Sequence, residues 1–226
     1  MISFILLAGG RGSRMHQETP KQFMLLAGKP IIMHTLERID RVDQVDEIII
    51  VSQTEYVDVL KEYITAYQLR KPAYFVRGGD SRQESAFNGL CKAKNDIVLI
   101  HEAARPFVKQ SEFQQLIDEP ATNATYGTGI PFTVLKGKKS ISGILERDEL
   151  FNVQLPQKFN RKELIKAHES AIKENKMFTE DASLLFYYSK NDIKILLGSS
   201  YNIKITEPID LLMGDVIYKE YITGRD

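Results

Sequence analysis

The N-terminal segment 4–7 constrains the fold more than any other, because a short, unbroken apolar run ends directly in a glycine-rich loop. Such a run is typical of a strand that is buried on both faces, as in a parallel sheet. Ala8, Gly9, Gly10 and Gly12 lack bulk, so the chain can turn sharply there and bring its amide N–H groups against a ligand. The pattern predicts a phosphate-binding loop, although an ordinary strand-to-helix turn has the same composition.

The chain around this loop is strongly basic. Arg11, Arg14 and Lys21 face only one nearby acid, Glu18. A local excess of positive charge attracts anions, so the sequence indicates a polyanionic ligand. The spacing Gly-Gly-Arg-Gly differs from the G-x-G-x-x-G of dinucleotide-binding folds, and no G-K-[ST] of a P-loop follows.

Strand and helix patterns alternate after the loop. Pro30 begins a helical pattern, 47–52 reads as a buried strand, 56–66 as a helix and 73–76 as a third strand. This order predicts an α/β fold with a doubly wound, mostly parallel sheet, in which ligands bind beyond the carboxyl ends of the strands. We expect a single domain over residues 1–226.

Composition narrows the function further. Thirty basic and thirty acidic residues cancel, which disfavours a general binder of nucleic acid or of acidic membranes. No leader pattern precedes the first strand and no apolar run approaches the roughly 18 residues of a membrane span, so we expect a cytoplasmic protein. Cys91 is the only cysteine, which excludes an internal disulfide, and its helix-like context predicts a small buried side chain.

Two further loops follow predicted strands. The segment 78–85 reads as a ligand loop or as a helix start capped by Asp80 or Ser81. The strand 96–100 leads into His101-Glu-Ala-Ala-Arg-Pro, a turn typical of a ligand edge, in which His101 is more often a packed side chain than a catalyst. No elbow motif accompanies Ser85 and His101, so a nucleophilic triad is not supported.

The segment 130–150 departs from the α/β rhythm. Two apolar stretches flank the turn-prone Lys136-Gly-Lys-Lys-Ser, which predicts a projecting β-hairpin arm. A two-stranded ribbon cannot bury its own apolar face, so we expect the arm to pack on another subunit.

The motifs taken together resemble those of one enzyme family. They are L-A-G-G-x-G-x-R-M at 7–15, P-K-Q-F at 20–23, G-G-x-x-R-x-x-S at 78–85, H-E-A-A-R-P at 101–106 and N-I-K-I-T at 202–206. The set resembles the cytidylyltransferases that act on polyol phosphates, namely the 2-C-methyl-D-erythritol 4-phosphate and ribitol-5-phosphate enzymes. The resemblance extends from Ile5 to about Asp215 and implies a Rossmann-like nucleotidyltransferase fold.

The resemblance implies that the protein transfers CMP from CTP to a polyol phosphate and releases pyrophosphate. The implied catalytic residues are Arg14, Lys21 and Lys204. The implied nucleotide-binding residues are Ala8, Gly9, Gly10, Gly12, Lys21, Gly79, Asp80, Ser85 and Ala103. The implied substrate-binding residues are Glu102, Arg105, Arg147, Thr179 and Lys204. Mg²⁺ would be held mainly by the phosphates, with Glu102 as a candidate ligand, and the arm would join a homodimer in which Arg147 reaches the neighbouring site.

Several of these residues have simpler interpretations. Arg82 can order its own loop, Thr179 can cap a helix through Glu180 and Asp181, and a strand lysine such as Lys204 usually faces solvent. Two alternative functions also stay open: a sugar-1-phosphate nucleotidyltransferase with another base, and a nucleotide-binding relative without turnover.

Three positions depart from the resembled methylerythritol phosphate enzymes. Glu102 replaces a shorter aspartate, and Val134 and Leu155 stand where threonines are usual. Losing two hydroxyl partners lowers the expected preference for methylerythritol phosphate. The acceptor is therefore expected to be a polyol phosphate, with isoprenoid biosynthesis and a ribitol phosphate used in cell-surface glycans both left open.

Overall fold

The computed structural model describes residues 1–10 and 19–222. Its strands are, in chain order, β1 (Ile2–Leu7), β2 (Leu25–Leu26), β3 (Lys29–Pro30), β4 (Val45–Ser52), β5 (Ala73–Arg77), β6 (Ile97–Glu102), β7 (Ala124–Gly129), β8 (Leu135–Gly137), β9 (Ile141–Ile144), β10 (Phe151–Asn160) and β11 (Lys194–Leu197). Its α-helices are α1 (Ile31–Asp40), α2 (Val57–Ala66), α3 (Arg82–Lys92), α4 (Gln110–Asp118), α5 (Arg161–Lys173), α6 (Asp181–Ser189) and α7 (Pro208–Ile217).

A seven-stranded sheet in the order β11-β7-β10-β6-β1-β4-β5 forms the centre of the molecule. All neighbouring strands run parallel except β10, which is antiparallel to both β6 and β7. Every residue of β1 is buried, because helices cover both faces of the sheet centre. The predicted doubly wound, mostly parallel α/β fold is confirmed.

Strand β10 is among the elements that the sequence pattern missed, together with α4 and β7. Its ten residues lie between β6 and β7, and it contains a cis peptide bond between Leu155 and Pro156. A proline within a strand pattern argues against a central strand, which is why the pattern did not predict one. The register is irregular between Gln154 and Gln157, so the proline sits where the ladder is already interrupted.

The arm is present as predicted, although its paired part is shorter. Strands β8 and β9 form a separate two-stranded ribbon within the predicted segment 130–150. Leu135 pairs with Ile144, and Phe132 and Ile144 are 76% and 78% exposed. The ribbon therefore leaves apolar side chains in solvent within this chain.

Three details of the sequence interpretation are wrong. Lys204 lies in an extended segment outside any strand, so it is not a strand lysine. Glu180, not Thr179, caps α6, because its carboxylate accepts the backbone N–H groups of Ala182 and Ser183. Cys91 is exposed rather than buried, since it lies on the outer face of α3.

Within residues 1–10 and 19–222, no helix is long and apolar enough to cross a membrane.

Candidate active site

A cleft of about 500 Å³ opens at the carboxyl ends of β1, β4, β5 and β6. Its walls include ten of the residues proposed from the sequence: Ala8, Gly9, Gly10, Lys21, Gly79, Asp80, Ser85, Glu102, Ala103 and Lys204. Parallel strands bring these distant segments together because their carboxyl ends share one edge of the sheet. The topology thus makes one site from four separate loops.

The first loop is fixed at its base. The amide of Ala8 donates to the carbonyl of Val51 at 2.8 Å, and the Gln22 side chain donates to the carbonyl of Ala8 at 2.8 Å. A Cβ atom added to Gly10 would meet no atom within 4 Å among residues 1–10 and 19–222, so packing within these residues does not require glycine there. The open space beside the backbone is the cleft, where a ligand can approach the amide groups closely.

The second loop is ordered by its own side chains. Ser85 Oγ accepts the amide of Gly79 at 3.0 Å, and Ser81 Oγ accepts the amide of Glu84 at 3.0 Å, which makes Ser81 the N-cap of α3. The Glu84 carboxylate accepts the amide of Asp80 at 2.8 Å. The segment 78–85 is therefore both a capped helix start and a part of the cleft wall.

Two lysines converge on the same wall of the cleft. Lys21 Nζ donates to the carbonyl of Ile205 at 3.0 Å, and Ile205 is the residue that directly follows Lys204. The amide of Ile205 donates to the carbonyl of Ala104 at 2.8 Å, which ties this segment to the end of β6. The cleft thus carries two cations next to a glycine-rich loop, an arrangement that suits a polyphosphate.

Glu102 lies at the centre of a cluster of cations. Its Oε1 accepts from Arg82 Nε at 2.9 Å, while its Oε2 lies 2.6 Å from Lys204 Nζ and 3.9 Å from Arg105 Nε. Burial alone would raise the pKa of Glu102, but Lys204, Arg82 and Arg105 outweigh it and lower the pKa to about 2. Glu102 is therefore an anion at neutral pH that neutralises part of the surrounding positive charge.

His101 is a packed histidine. It is fully buried, its ring meets Phe113 edge to face, and its Nε2 donates to the carbonyl of Arg105 at 2.9 Å. Burial lowers the pKa of His101 to about 4, so the ring is neutral at physiological pH. The packing interpretation fits this geometry.

A second groove adjoins the cleft. Its lining includes Arg105, Gln154, Asn202 and Lys204, so Lys204 stands between the two spaces. Arg105 Nη1 donates to the carbonyl of Asn202 at 3.0 Å, and the Gln154 amide donates to the carbonyl of Ser199 at 2.9 Å. These bonds fix the segment that carries Lys204 against β10, and the groove lies directly beside the cleft.

Three proposed residues within the described ranges do not line this cleft: Arg105, which lines the adjoining groove, Arg147 and Thr179. Arg147 lies on the arm, exposed and 3.6 Å from Asp148, and Thr179 is exposed just before α6. Arg14 and Gly12 lie outside the described residues. Their roles stay predictions.

Sequence reasoning missed Gln53, which lines the cleft and whose amide donates to the carbonyl of Gly9 at 3.4 Å. The signal was present, since Gln53 directly follows the buried strand β4. It also missed His168 and the role of Asp181, which lie behind the cleft. Asp181 accepts a hydrogen bond from Arg82, and His168 donates one to Asp181. No local pattern marks these two residues.

Residues 2–220 match the family model of 2-C-methyl-D-erythritol 4-phosphate cytidylyltransferase, IspD. The chain belongs to this family. The cytidylyltransferase of Clostridium acetobutylicum is 38% identical over 222 residues, covering 96% of each chain. That of Clostridium botulinum Type A is 36% identical over 224 residues, covering 96% of this chain and 97% of the relative.

Solved structures agree with this assignment. The crystal structure of 4-diphosphocytidyl-2C-methyl-D-erythritol synthase from Anaerococcus prevotii superposes with a TM-score of 0.85 at 27% identity and covers 96% of both chains. The predicted reaction class is confirmed: this IspD-family protein is a CTP-dependent cytidylyltransferase. The cleft of Lys21, Glu102 and Lys204 is accordingly its candidate active site.

Proposed function

We propose that this cytidylyltransferase transfers CMP from CTP to 2-C-methyl-D-erythritol 4-phosphate and releases pyrophosphate. The observation that carries the proposal is the match over residues 2–220, which includes the cleft residues Lys21 and Lys204. The relatives from both Clostridium species are named for this acceptor. CTP is a cytoplasmic nucleotide, so we place the reaction in the cytoplasm.

The proposed chemistry is a single in-line displacement. A phosphate oxygen of the acceptor attacks the α-phosphorus of CTP, and the bond from that phosphorus to the bridging oxygen breaks as pyrophosphate leaves. The protein contributes positioning and neutralisation of the developing negative charge rather than a nucleophile. Lys21 and Lys204, which line the cleft, would neutralise this charge, and the amides of Gly9 and Gly10 would hold phosphate oxygens.

We propose that Mg²⁺ binds together with the nucleotide. Among residues 1–10 and 19–222, no group of three His, Cys, Asp or Glu side chains is arranged to hold a metal ion. Glu102 was a candidate ligand, but Arg82, Lys204 and Arg105 surround its carboxylate, which does not fit direct metal binding in this arrangement. The substrate is therefore proposed to be the Mg²⁺ complex of CTP, with the triphosphate as the metal's main ligand.

Ribitol 5-phosphate is the second candidate acceptor. Leu155 has no hydroxyl group, and its side chain is 4% exposed and packs in the core on the α5 side. Val134 lines a small pocket of the arm together with Arg147. These two positions differ from the threonines expected for methylerythritol phosphate, and a pentitol phosphate places its hydroxyl groups differently.

The test is pyrophosphate release by the purified protein. We expect pyrophosphate release to be clearly faster with CTP than with UTP, ATP or GTP. We also expect kcat/KM to be higher for 2-C-methyl-D-erythritol 4-phosphate than for ribitol 5-phosphate. Lys204→Met serves as the matched inactive control, because the side chain keeps its length and loses its charge. Equal rates with UTP and CTP would contradict the nucleotide, and a preference for ribitol 5-phosphate would replace the proposed acceptor.

We also propose a homodimer through the arm. The arm and its base carry a group of exposed apolar side chains: Phe132, Leu135, Ile141, Ile144, Leu145, Phe151 and Val153. Ile195 and Leu197 on the edge strand β11 extend the same apolar surface, since Ile195 and Phe151 both flank Gly127. So large an apolar surface on a ribbon with little core supports burial against a second copy.

In this dimer, Arg147 would reach the site of the other subunit. Sedimentation should give a dimer at micromolar concentration for the wild type and a monomer with reduced activity for the double variant Ile141→Glu, Ile144→Glu. Replacing the exposed Ile172 on α5 by glutamate is the matched control and should leave the dimer intact. A fully active wild-type monomer would contradict the proposal.

A further inference from the structure

A chain of hydrogen-bonded side chains runs from the cleft into the core. Arg82 Nη1 donates to Asp181 Oδ2 at 2.8 Å, while its Nε donates to Glu102 Oε1 at 2.9 Å. His168 Nε2 donates to Asp181 Oδ1 at 3.1 Å. Arg82 therefore joins the cleft carboxylate of Glu102 to a second carboxylate behind it.

The far end of this chain is well shielded from solvent. The side chain of Asp181 is 1% exposed and that of His168 is fully buried, and neither lines the cleft. Burial alone would raise the pKa of Asp181, but Arg82 and His168 lower it. A buried carboxylate is costly unless it is paired and hydrogen-bonded, so the two partners keep Asp181 charged.

The pairing also restrains Arg82. Its guanidinium has two carboxylates on different sides, and this geometry fixes the side chain in a single orientation. Asp181 begins α6 and His168 lies on α5, so two packed helices set the position of an arginine that begins α3. His168 is itself held by stacking on Phe87, with 5.7 Å between the ring centroids.

We propose that Asp181 and His168 are positioning residues for CMP transfer, which act by holding Arg82 and, through it, the Glu102 carboxylate beside Lys204. Without Asp181, Glu102 is the remaining carboxylate partner of Arg82, and a two-bond pair between them draws the carboxylate away from Lys204. Lys204 stands between the cleft and the adjoining groove, so loss of the carboxylate that holds its Nζ lets Lys204 shift and weakens the acceptor side of the site.

The inference rests on the cytidylyltransferase reaction but not on the identity of the acceptor. The assay therefore uses the acceptor with the highest wild-type kcat/KM, so that failure of 2-C-methyl-D-erythritol 4-phosphate does not affect it. We expect Asp181→Asn to raise the KM for the acceptor and to lower kcat/KM about tenfold, since small displacements at a reacting centre have large effects on rate. A smaller folded fraction cannot raise KM, which separates positioning from simple loss of folded protein.

A double-mutant cycle with Arg82→Met tests the route of the effect. If Asp181 acts through Arg82, Asp181→Asn changes kcat/KM by less than about twofold once Arg82 is already replaced. If Asp181→Asn lowers kcat/KM by the same factor in the wild type and in Arg82→Met, the two residues act independently. That result would overturn the proposal. Wild-type KM and kcat/KM in Asp181→Asn would do the same.

A pair of substitutions at His168 keeps the test valid if Asp181→Asn folds poorly. His168→Gln retains an N–H donor for Asp181, whereas His168→Phe retains an aromatic ring against Phe87 and lacks the donor. We expect His168→Gln to stay within about twofold of the wild type and His168→Phe to lose about fivefold in kcat/KM. Ala171→Gly, at a buried position on the same helix, is the stability control and should leave KM unchanged. Equal kinetics in the two His168 variants would overturn the proposal.

Discussion

Replacing Glu102 by glutamine is the sharpest test of the charge cluster. The Glu102 side chain is only 10% exposed and is shared by Arg82, Lys204 and, at 3.9 Å, Arg105. Glutamine has nearly the same shape, so the substitution removes a charge without opening a cavity. The cations then lose part of the negative charge that compensates them.

The expected loss of folding stability follows from the pKa of Glu102, which is lowered from 4.5 to about 2. A shift of this size corresponds to about 3 kcal/mol of folding stability at neutral pH. The folded pKa is the lower one, so this stabilisation is present above pH 4.5 and disappears as the pH falls towards 2. At pH 3 less than half of it is left.

The assay is thermal unfolding of the wild type and of Glu102→Gln between pH 3 and pH 7. For a chain of this length, about 3 kcal/mol corresponds to a decrease in Tm of roughly 6–12 °C at pH 7. The difference should shrink by more than half at pH 3. Glu55→Gln, at an exposed position, is the control and should change Tm by less than about 2 °C. A Tm difference that is small at pH 7, or that does not depend on pH, would refute the reasoning.

The other predictions concern the cations and the nucleotide loop. Lys21→Ala should lower kcat about a hundredfold, because this cation lines the cleft where negative charge develops, and should change Tm little, because the hydrogen bond it loses to the carbonyl of Ile205 is only partly buried; steady-state kinetics and thermal unfolding would check both. Arg14→Ala should have a similar effect on kcat, and a rate near that of the wild type would remove this residue from the mechanism. Ser85→Ala should raise the KM for CTP about fivefold, because the Gly79 amide loses its acceptor at 3.0 Å, while the KM for the acceptor stays constant.

Local sequence determined the elements that need no long-range partner. The apolar run 4–7 became the buried strand β1, Pro30 and Pro208 stand at helix starts, and the glycine-rich loop follows its strand directly. Loops after parallel strands must meet at one edge, so the order of elements was enough to predict that segments near residues 9, 79 and 102 form one cleft. Charge and glycine content are local properties of the chain, and they indicate a polyanionic ligand by themselves.

Only the tertiary structure decided what surrounds Glu102. From the sequence, Arg82 had two interpretations, Asp181 was part of a helix start, and His168 carried no signal at all. The three are brought together because α5 and α6 pack next to the start of α3, and the partners of Arg82 lie 20 and 99 residues away along the chain. Strand β10 was missed for a related reason, since its proline is tolerated only at the irregularity in its pairing with β7. Periodicity reports which face of an element is buried, whereas the partner of a buried charge is set by the packing of elements that are distant in sequence.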